Sequence, residues 1–187
     1  MKITIAINIT EKLWRTRPKI TQQIRSLFKS IIPKTPLQNI IKTKVIANIE
    51  ISILLTNDQQ IKELNQSYRQ KDKATNVLSF PLLDCKKIKN GNLANLDLAN
   101  NKIANEIILG DIALSYQTIC QEALQQNKTF DHHLTHLIIH SLLHLIGFDH
   151  QRISEAKIME ELEIRILADL NIKNPYSKTL KTCRKSP

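Results

Sequence analysis

Long apolar runs are missing from this chain. Its longest mostly apolar stretches, residues 51–55 and 142–146, fall far short of the roughly 20 residues that a membrane-spanning helix needs, so no membrane partner is expected. Cysteine is scarce as well. Cys85, Cys120 and Cys183 are odd in number, widely separated and without C-x-x-C spacing, which excludes a disulfide framework or a thiolate zinc site and suits a reducing compartment. The N-terminus, Met1-Lys-Ile-Thr-Ile-Ala-Ile-Asn-Ile, alternates like a strand and lacks the unbroken apolar core and small-residue cleavage site of a signal peptide. A soluble, cytoplasmic protein is the expectation. Aromatics are also few: four Phe, three Tyr and Trp14 cannot build a broad platform for stacking bases.

Acidic residues are outnumbered. With 27 Lys and Arg against 17 Asp and Glu, the net charge is +10 and the pI near 9.6. Such a field draws in polyanions, of which nucleic acid is the commonest, although a basic surface also serves plain solubility. At 187 residues the chain fits one domain and buries a real core, so it needs no metal merely to fold. A metal site would be functional.

Residues 2–9 place isoleucine at 3, 5, 7 and 9, the period of two of a half-buried strand. After Pro18 the period changes. Ile20, Ile24, Leu27, Phe28 and Ile31 form one helical face that stops before Pro33. Residues 45–55 read as a second strand, followed by a helix capped by Asn57 or Asp58 and carrying Ile61, Leu64 and Tyr68. Short strands follow at 76–80 and 107–114, separated by a polar, asparagine-rich stretch, 84–105, that reads as a long loop. Helices fill about 115–126, 132–146 and 154–170. The expected fold is α+β (mixed α/β), a single domain over residues 1–170 with a small mixed sheet of about four strands and about five helices. Residues 171–187 form a basic, flexible tail.

The richest chemistry lies in His140-Ser-Leu-Leu-His144-Leu-Ile-Gly147-Phe-Asp-His150. Residues four apart on a helix lie about 40° from one another around its axis, so His140 and His144 project together. Gly147 permits a left-handed turn that ends the helix, and the returning chain delivers His150. Three imidazoles leave a fourth tetrahedral position open, as in catalytic zinc. Zinc is the expected ion, although imidazole also suits nickel, copper and iron. The spacing matches the ligand skeleton of metzincin peptidases, but their general base, a Glu directly after the first histidine, is replaced by Ser141. His136, one turn earlier, could line the site, but an ordinary helix-surface role is favoured; His132 and His133 receive no role. Asp149 could orient a ligand histidine or cap its loop. Gly110 allows close backbone approach within a strand, and Asp111 beside it reads as structural.

His140 to His150 resembles the signature of the YbeY endoribonuclease family. The block Leu64-Asn-Gln-Ser-Tyr-Arg69-Gln-Lys-Asp-Lys-Ala-Thr75-Asn-Val-Leu-Ser-Phe80-Pro81 and the segment Leu109-Gly110-Asp111-Ile112 are similar to that family too, and the likeness covers roughly residues 1–170. It departs at Ser141, where glycine is typical, at Phe148 in place of a usual tyrosine, and at Asn76, where aspartate is also common. The resemblance implies a metal-dependent, single-strand-specific endoribonuclease of ribosomal RNA processing, including 16S 3′-end maturation, and of ribosome quality control. Its partners would be precursor rRNA and the small ribosomal subunit or its assembly proteins, with no DNA.

The resemblance also carries a catalytic role onto Arg69. Chemistry agrees, since a guanidinium can grip two nonbridging oxygens of a phosphodiester transition state. Lys71 and Lys73 either hold the RNA backbone or merely solvate their loop. A metal on His140, His144 and His150 would polarise a phosphoryl oxygen or acidify a water, with the general base unnamed. Two rivals are a zinc metallopeptidase and a non-catalytic, ribosome-associated RNA-binding protein whose metal stiffens a helix turn.

Overall fold

The computed structural model describes residues 2–42, 48–83 and 106–177. The stretch 84–105 read as a loop, Cys85, Cys183 and the tail beyond 177 lie outside those residues. Four strands, β1 (Lys2–Ile9), β2 (Asn48–Thr56), β3 (Val77–Pro81) and β4 (Glu106–Ser115), form one sheet in the order β1-β2-β4-β3. The first three neighbours in that order run parallel and β3 pairs antiparallel with β4. The expected mixed sheet is therefore present.

Six α-helices accompany it among the described residues: α1 (Ile20–Ile31), α2 (Leu37–Lys42), α3 (Asp58–Arg69), α4 (Tyr116–Gln125), α5 (Phe130–Leu145) and α6 (Ile153–Asp169). The sequence reading had about five, and the one it lacked is α2. Six residues after Pro36 are too short to display a helical period, and the segment holds its place because Leu37 is fully buried.

Burial follows the patterns that define the elements. Central β2 buries Ile49, Ile51, Ile53 and Leu55, while α1 buries Ile20, Ile24, Phe28 and Ile31. Asn57 caps α3 by accepting from the Gln60 amide at 2.9 Å. Asp58 instead ties α3 to the end of β4, accepting from the Ser115 hydroxyl at 2.5 Å and the Thr118 hydroxyl at 2.6 Å. Trp14, fully buried, donates its ring N–H to the Thr56 carbonyl at 2.9 Å.

Gly110 sits where the β2–β4 register shifts, with φ +137°. A Cβ there would lie 2.2 Å from the Phe80 carbonyl oxygen and 3.1 Å from the Leu145 side chain. Only glycine lets β3, β4 and α5 meet at that point.

α5 is the central helix. It packs against β3, β4, α4 and α6 and buries Leu134, Leu137, Ile138, Ile139, Leu142, Leu143 and Leu145. No described helix is long and apolar enough to cross a membrane. Residues 171–177, assigned by composition to the tail, turn back toward α6 so that Tyr176 donates its hydroxyl to Glu163.

Candidate metal centre

Thr129 starts α5 by accepting from the His132 amide at 3.2 Å, and a glycine-built turn ends it. Gly147, at φ +85°, donates to the His144 carbonyl at 3.1 Å while Phe148 donates to the Leu143 carbonyl at 3.0 Å. This paired arrangement satisfies carbonyls that the helix end leaves open. Phe148 drops into the core, 4% exposed, and the chain returns to place His150 beside the helix. The ring centroid of His150 lies 5.4 Å from that of His140 and 5.0 Å from that of His144. The three expected ligands thus converge, with one ligand atom from each lying within 4.8 Å of the other two.

The outward nitrogens of the rings settle which atoms face the centre. His140 Nδ1 lies 2.7 Å from Glu163 Oε1, and His144 Nδ1 lies 3.0 Å from the Phe148 carbonyl oxygen. Both partners are acceptors, so each Nδ1 carries a proton, and in its neutral form each ring turns a bare Nε2 inward. Those two Nε2 atoms are 3.1 Å apart. Two lone pairs at that distance repel unless a cation lies between them. Two nitrogens bound at about 2.0–2.1 Å to one tetrahedral zinc sit about 3.3 Å apart, so this donor set fits a metal ion. Burial, followed by the charges of His140 and His150, pulls His144 down to about 4. A proton is therefore a poor substitute for that cation at neutral pH.

Behind the ligands lies a residue that the sequence reading missed. Glu163 on α6 is fully buried, bonds His140 through one oxygen, and meets His136 Nε2 at 3.0 Å and the Tyr176 hydroxyl through the other. Burial opposes its ionisation, but the bonds from His136 and His140, the charge of His140 and the bond from Tyr176 outweigh that cost and hold the carboxyl at about 2. A carboxylate bonded to a ligand histidine fixes its tautomer and raises its basicity. The clue in the sequence is an acid inside the apolar stripe of α6, among the buried Met159, Leu162, Ile166 and Leu167.

Other expectations resolve by position. Asp149 accepts from the His150 amide at 2.7 Å, which is the loop-capping alternative. His136 is not an ordinary surface residue: its side chain is 16% exposed and it lines the cleft, because the face of α5 that carries His140 also carries the residue one turn before it. Ser141 is fully buried, and its hydroxyl has no hydrogen-bond partner among the described residues. It is part of the buried interior and does not line the cleft over the histidines.

A cleft of about 460 Å³ opens over the three histidines and reaches Arg69 at the end of α3, together with Thr75, Asn76, Glu122, Lys128, His133 and Tyr176. Arg69 and the triad, 71 positions apart at their nearest, therefore share one recess. Lys71 and Lys73 are exposed on the loop after α3 and do not line it. Asp111 is exposed on β4, opposite Phe80, and does not line it either.

The fold and this site define a class: single-sheet α/β proteins with an open three-histidine centre backed by a buried carboxylate. The chain belongs to the YbeY family. The model of that family, described as Endoribonuclease YbeY, matches residues 9–171. Among curated relatives, an Endoribonuclease YbeY of Rhodopseudomonas palustris is 44% identical over 128 residues, which is 68% of this chain and 60% of the relative. Another, from Bradyrhizobium diazoefficiens, is 44% identical over 133 residues, or 71% of this chain and 66% of the relative. The chain thus matches less than two thirds of the length of these two relatives. A solution structure of a Thermotoga maritima protein aligns with 95% of this chain and 99% of its own at 20% identity and a TM-score of 0.49.

Proposed function

We propose that this chain is a metal-dependent endoribonuclease of ribosomal RNA processing, with His140, His144 and His150 as metal ligands and Arg69 as the catalytic cation. The observation that carries the reading is the shared recess, whose wall includes both an always-charged guanidinium and a three-imidazole centre. When bound, the ion supplies Lewis acidity to a phosphoryl oxygen or to water, and zinc suits the all-nitrogen ligand set. Arg69 grips the nonbridging oxygens of the reacting phosphate and stabilises the charge that grows there. Glu163 keeps His140 in the tautomer that offers Nε2 inward. Lys128 adds a second cation to the cleft wall.

The finer reading is single-strand specificity, action at the 16S 3′ end and in ribosome quality control, and a cytoplasmic site of action with the small subunit or its assembly proteins as partners. A recess of about 460 Å³ suits the nucleotides of one strand better than a paired helix. Stacking has little to offer, since among the described residues Tyr176 is the one Phe, Tyr or Trp side chain that lines the cleft. Recognition therefore rests on phosphates and weakens steeply with salt, which leaves accurate placement of the cut to the particle that presents the RNA.

Purified protein assayed on a structured RNA and on a peptide library, with and without chelator, tests the proposal. RNA cleavage that is lost on chelation and lost in Arg69→Ala is the expected result. Peptide cleavage with inert RNA would support the peptidase instead, and metal-dependent folding with neither activity would favour a non-catalytic RNA-binding protein.

A further inference from the structure

The cleft continues beyond the metal centre toward the start of α5, and that part has no task in the chemistry above. Its wall carries Asn76, Glu122, Gln126 and His133. His133 lies two helical turns before His140, about 10 Å along the axis. Glu122 projects from α4 and is the only acidic residue lining the cleft among the described residues. Its carboxylate is held on one side only. The His133 ring meets Oε2 at 2.7 Å from Nε2, and the Asn76 amide donates to the same Oε2 at 2.8 Å. The side chain is 28% exposed, and no donor among the described residues bonds Oε1. His133 is 3% exposed and its Nδ1 finds no hydrogen-bond partner there. Leaving such an atom unsatisfied is costly, and what the ring's position secures is the placement of Glu122.

A carboxylate in a cleft that receives a polyanion repels phosphate; Lys128 on the same wall feels its charge and offsets that in part, and Oε1 stays open to a contact of its own. An ionised carboxylate only accepts hydrogen bonds, and bonds to it are about twice as strong as neutral ones. Burial works against ionisation of Glu122, but the bonds from His133 and Asn76 and the charge of His133 prevail and set it below the ordinary carboxylate range. It is therefore charged at neutral pH and a weak base. Its partner His133 stands two helical turns of α5 before the ligand His140, and Glu122 bonds none of the three histidines of the metal centre.

We propose that Glu122, fixed by His133 and Asn76, is a substrate-recognition residue whose Oε1 accepts a hydrogen bond from a neutral donor of the nucleotide flanking the cut. That donor is the ribose 2′-hydroxyl or a base N–H, the uncharged donors that a nucleotide presents. The inference rests on the endoribonuclease reading. It adds a subsite that selects by accepting, beside a metal end that attracts by charge. In Glu122→Gln the two donors hold the amide oxygen, so an NH2 replaces Oε1 and faces the same ligand donor.

The test uses metal-loaded protein and a short single-stranded RNA that the wild type cleaves. Single 2′-deoxy residues are walked outward from the cut, and in a second arm inosine or purine riboside replaces guanosine or adenosine. Binding and cleavage are measured for wild type, Glu122→Gln and Glu122→Asp. In the wild type one flanking substitution should weaken binding about 10- to 100-fold, the range for a hydrogen bond to a charged group. Glu122→Gln should lose as much with the unmodified RNA, become indifferent to that substitution, and bind metal as tightly as before. The arm that responds names the donor. If Glu122→Gln does not fold, Glu122→Asp, which keeps the charge but withdraws it by one carbon, should show a reduced response to the same substitution. A wild type indifferent to every substitution, or variants as sensitive as the wild type, overturns the subsite while leaving the endoribonuclease intact. A wild type that neither binds nor cleaves RNA removes both.

Discussion

At one end of the α5 cleft, His140 and His144 turn bare Nε2 atoms toward each other at 3.1 Å and His150 closes the group. At the other end, Glu122 is held through one oxygen by donors from His133 and Asn76. Both ends use histidines of one helix, yet their partners make them opposites. Glu163 and the Phe148 carbonyl take the Nδ1 protons of the first pair, so those rings are left with lone pairs that only a cation can reconcile. Glu122 takes the Nε2 side of His133, so that ring donates and the acid keeps its other oxygen open. The partner of a histidine, more than its place on the helix, decides whether it ligates a metal or holds an acid.

The comparison breaks most sharply at His144. His144→Ala should reduce the metal content of purified protein to background by elemental analysis and abolish RNA cleavage, because two imidazoles cannot retain the ion. Retention of metal would show that the centre lies elsewhere. Arg69→Ala should keep its metal and still lose about 10²- to 10³-fold in cleavage rate, the usual cost of deleting one charge-stabilising donor. A simultaneous loss of metal would instead make Arg69 a structural support. Glu163→Gln tests the buried carboxylate. An amide cannot supply the negative charge at Oε1, and metal affinity measured by competition with a chromophoric chelator should fall about 10- to 100-fold. The same substitution should leave any response to RNA modification at the Glu122 end unchanged.

The smallest effect is one of pH. Unfolded His144 takes a proton at its ordinary value of 6.5, but the folded chain holds it unprotonated down to about 4. The unfolded state therefore binds more protons in that window, and the stability of the metal-free protein should decline as pH falls from about 6.5 toward 4. Denaturant midpoints across that range should show the decline, and His144→Ala should flatten it. An equal slope in the variant would assign the effect to other groups.

Much of the site is local and so was readable. The ligand spacing, the turn at Gly147 and the return to His150 lie within one helix and its exit, and each obeys rules of helix period and glycine conformation. The resemblance to the YbeY family rested on the same segment and on the block around Arg69, and the family match over residues 9–171 agrees with it. Glu163 was hidden for the opposite reason. It meets His140 across 23 positions, and in a linear reading it is one more acid on a charged helix. Asp149, adjacent to a ligand, attracted attention and proved to cap its own loop. The Glu122 cluster joins α4 to α5 and to the residue just before β3, across 11 and 46 positions.

By itself the sequence determined the local geometry: which segments alternate with period two or wind with period 3.6, where Pro33 and Gly147 stop a helix, and that two histidines share a face. Those outcomes depend on neighbouring residues and on backbone sterics, which are present in any fold of the chain. Only the tertiary structure decided that β4 would insert between β2 and β3, that α6 would bring Glu163 behind His140, and that Arg69 would share a recess with the triad. Burial made those choices. A carboxylate among leucines can ionise only where bonded donors wait for it, and the packing of α5 against its neighbours is what placed the donors there.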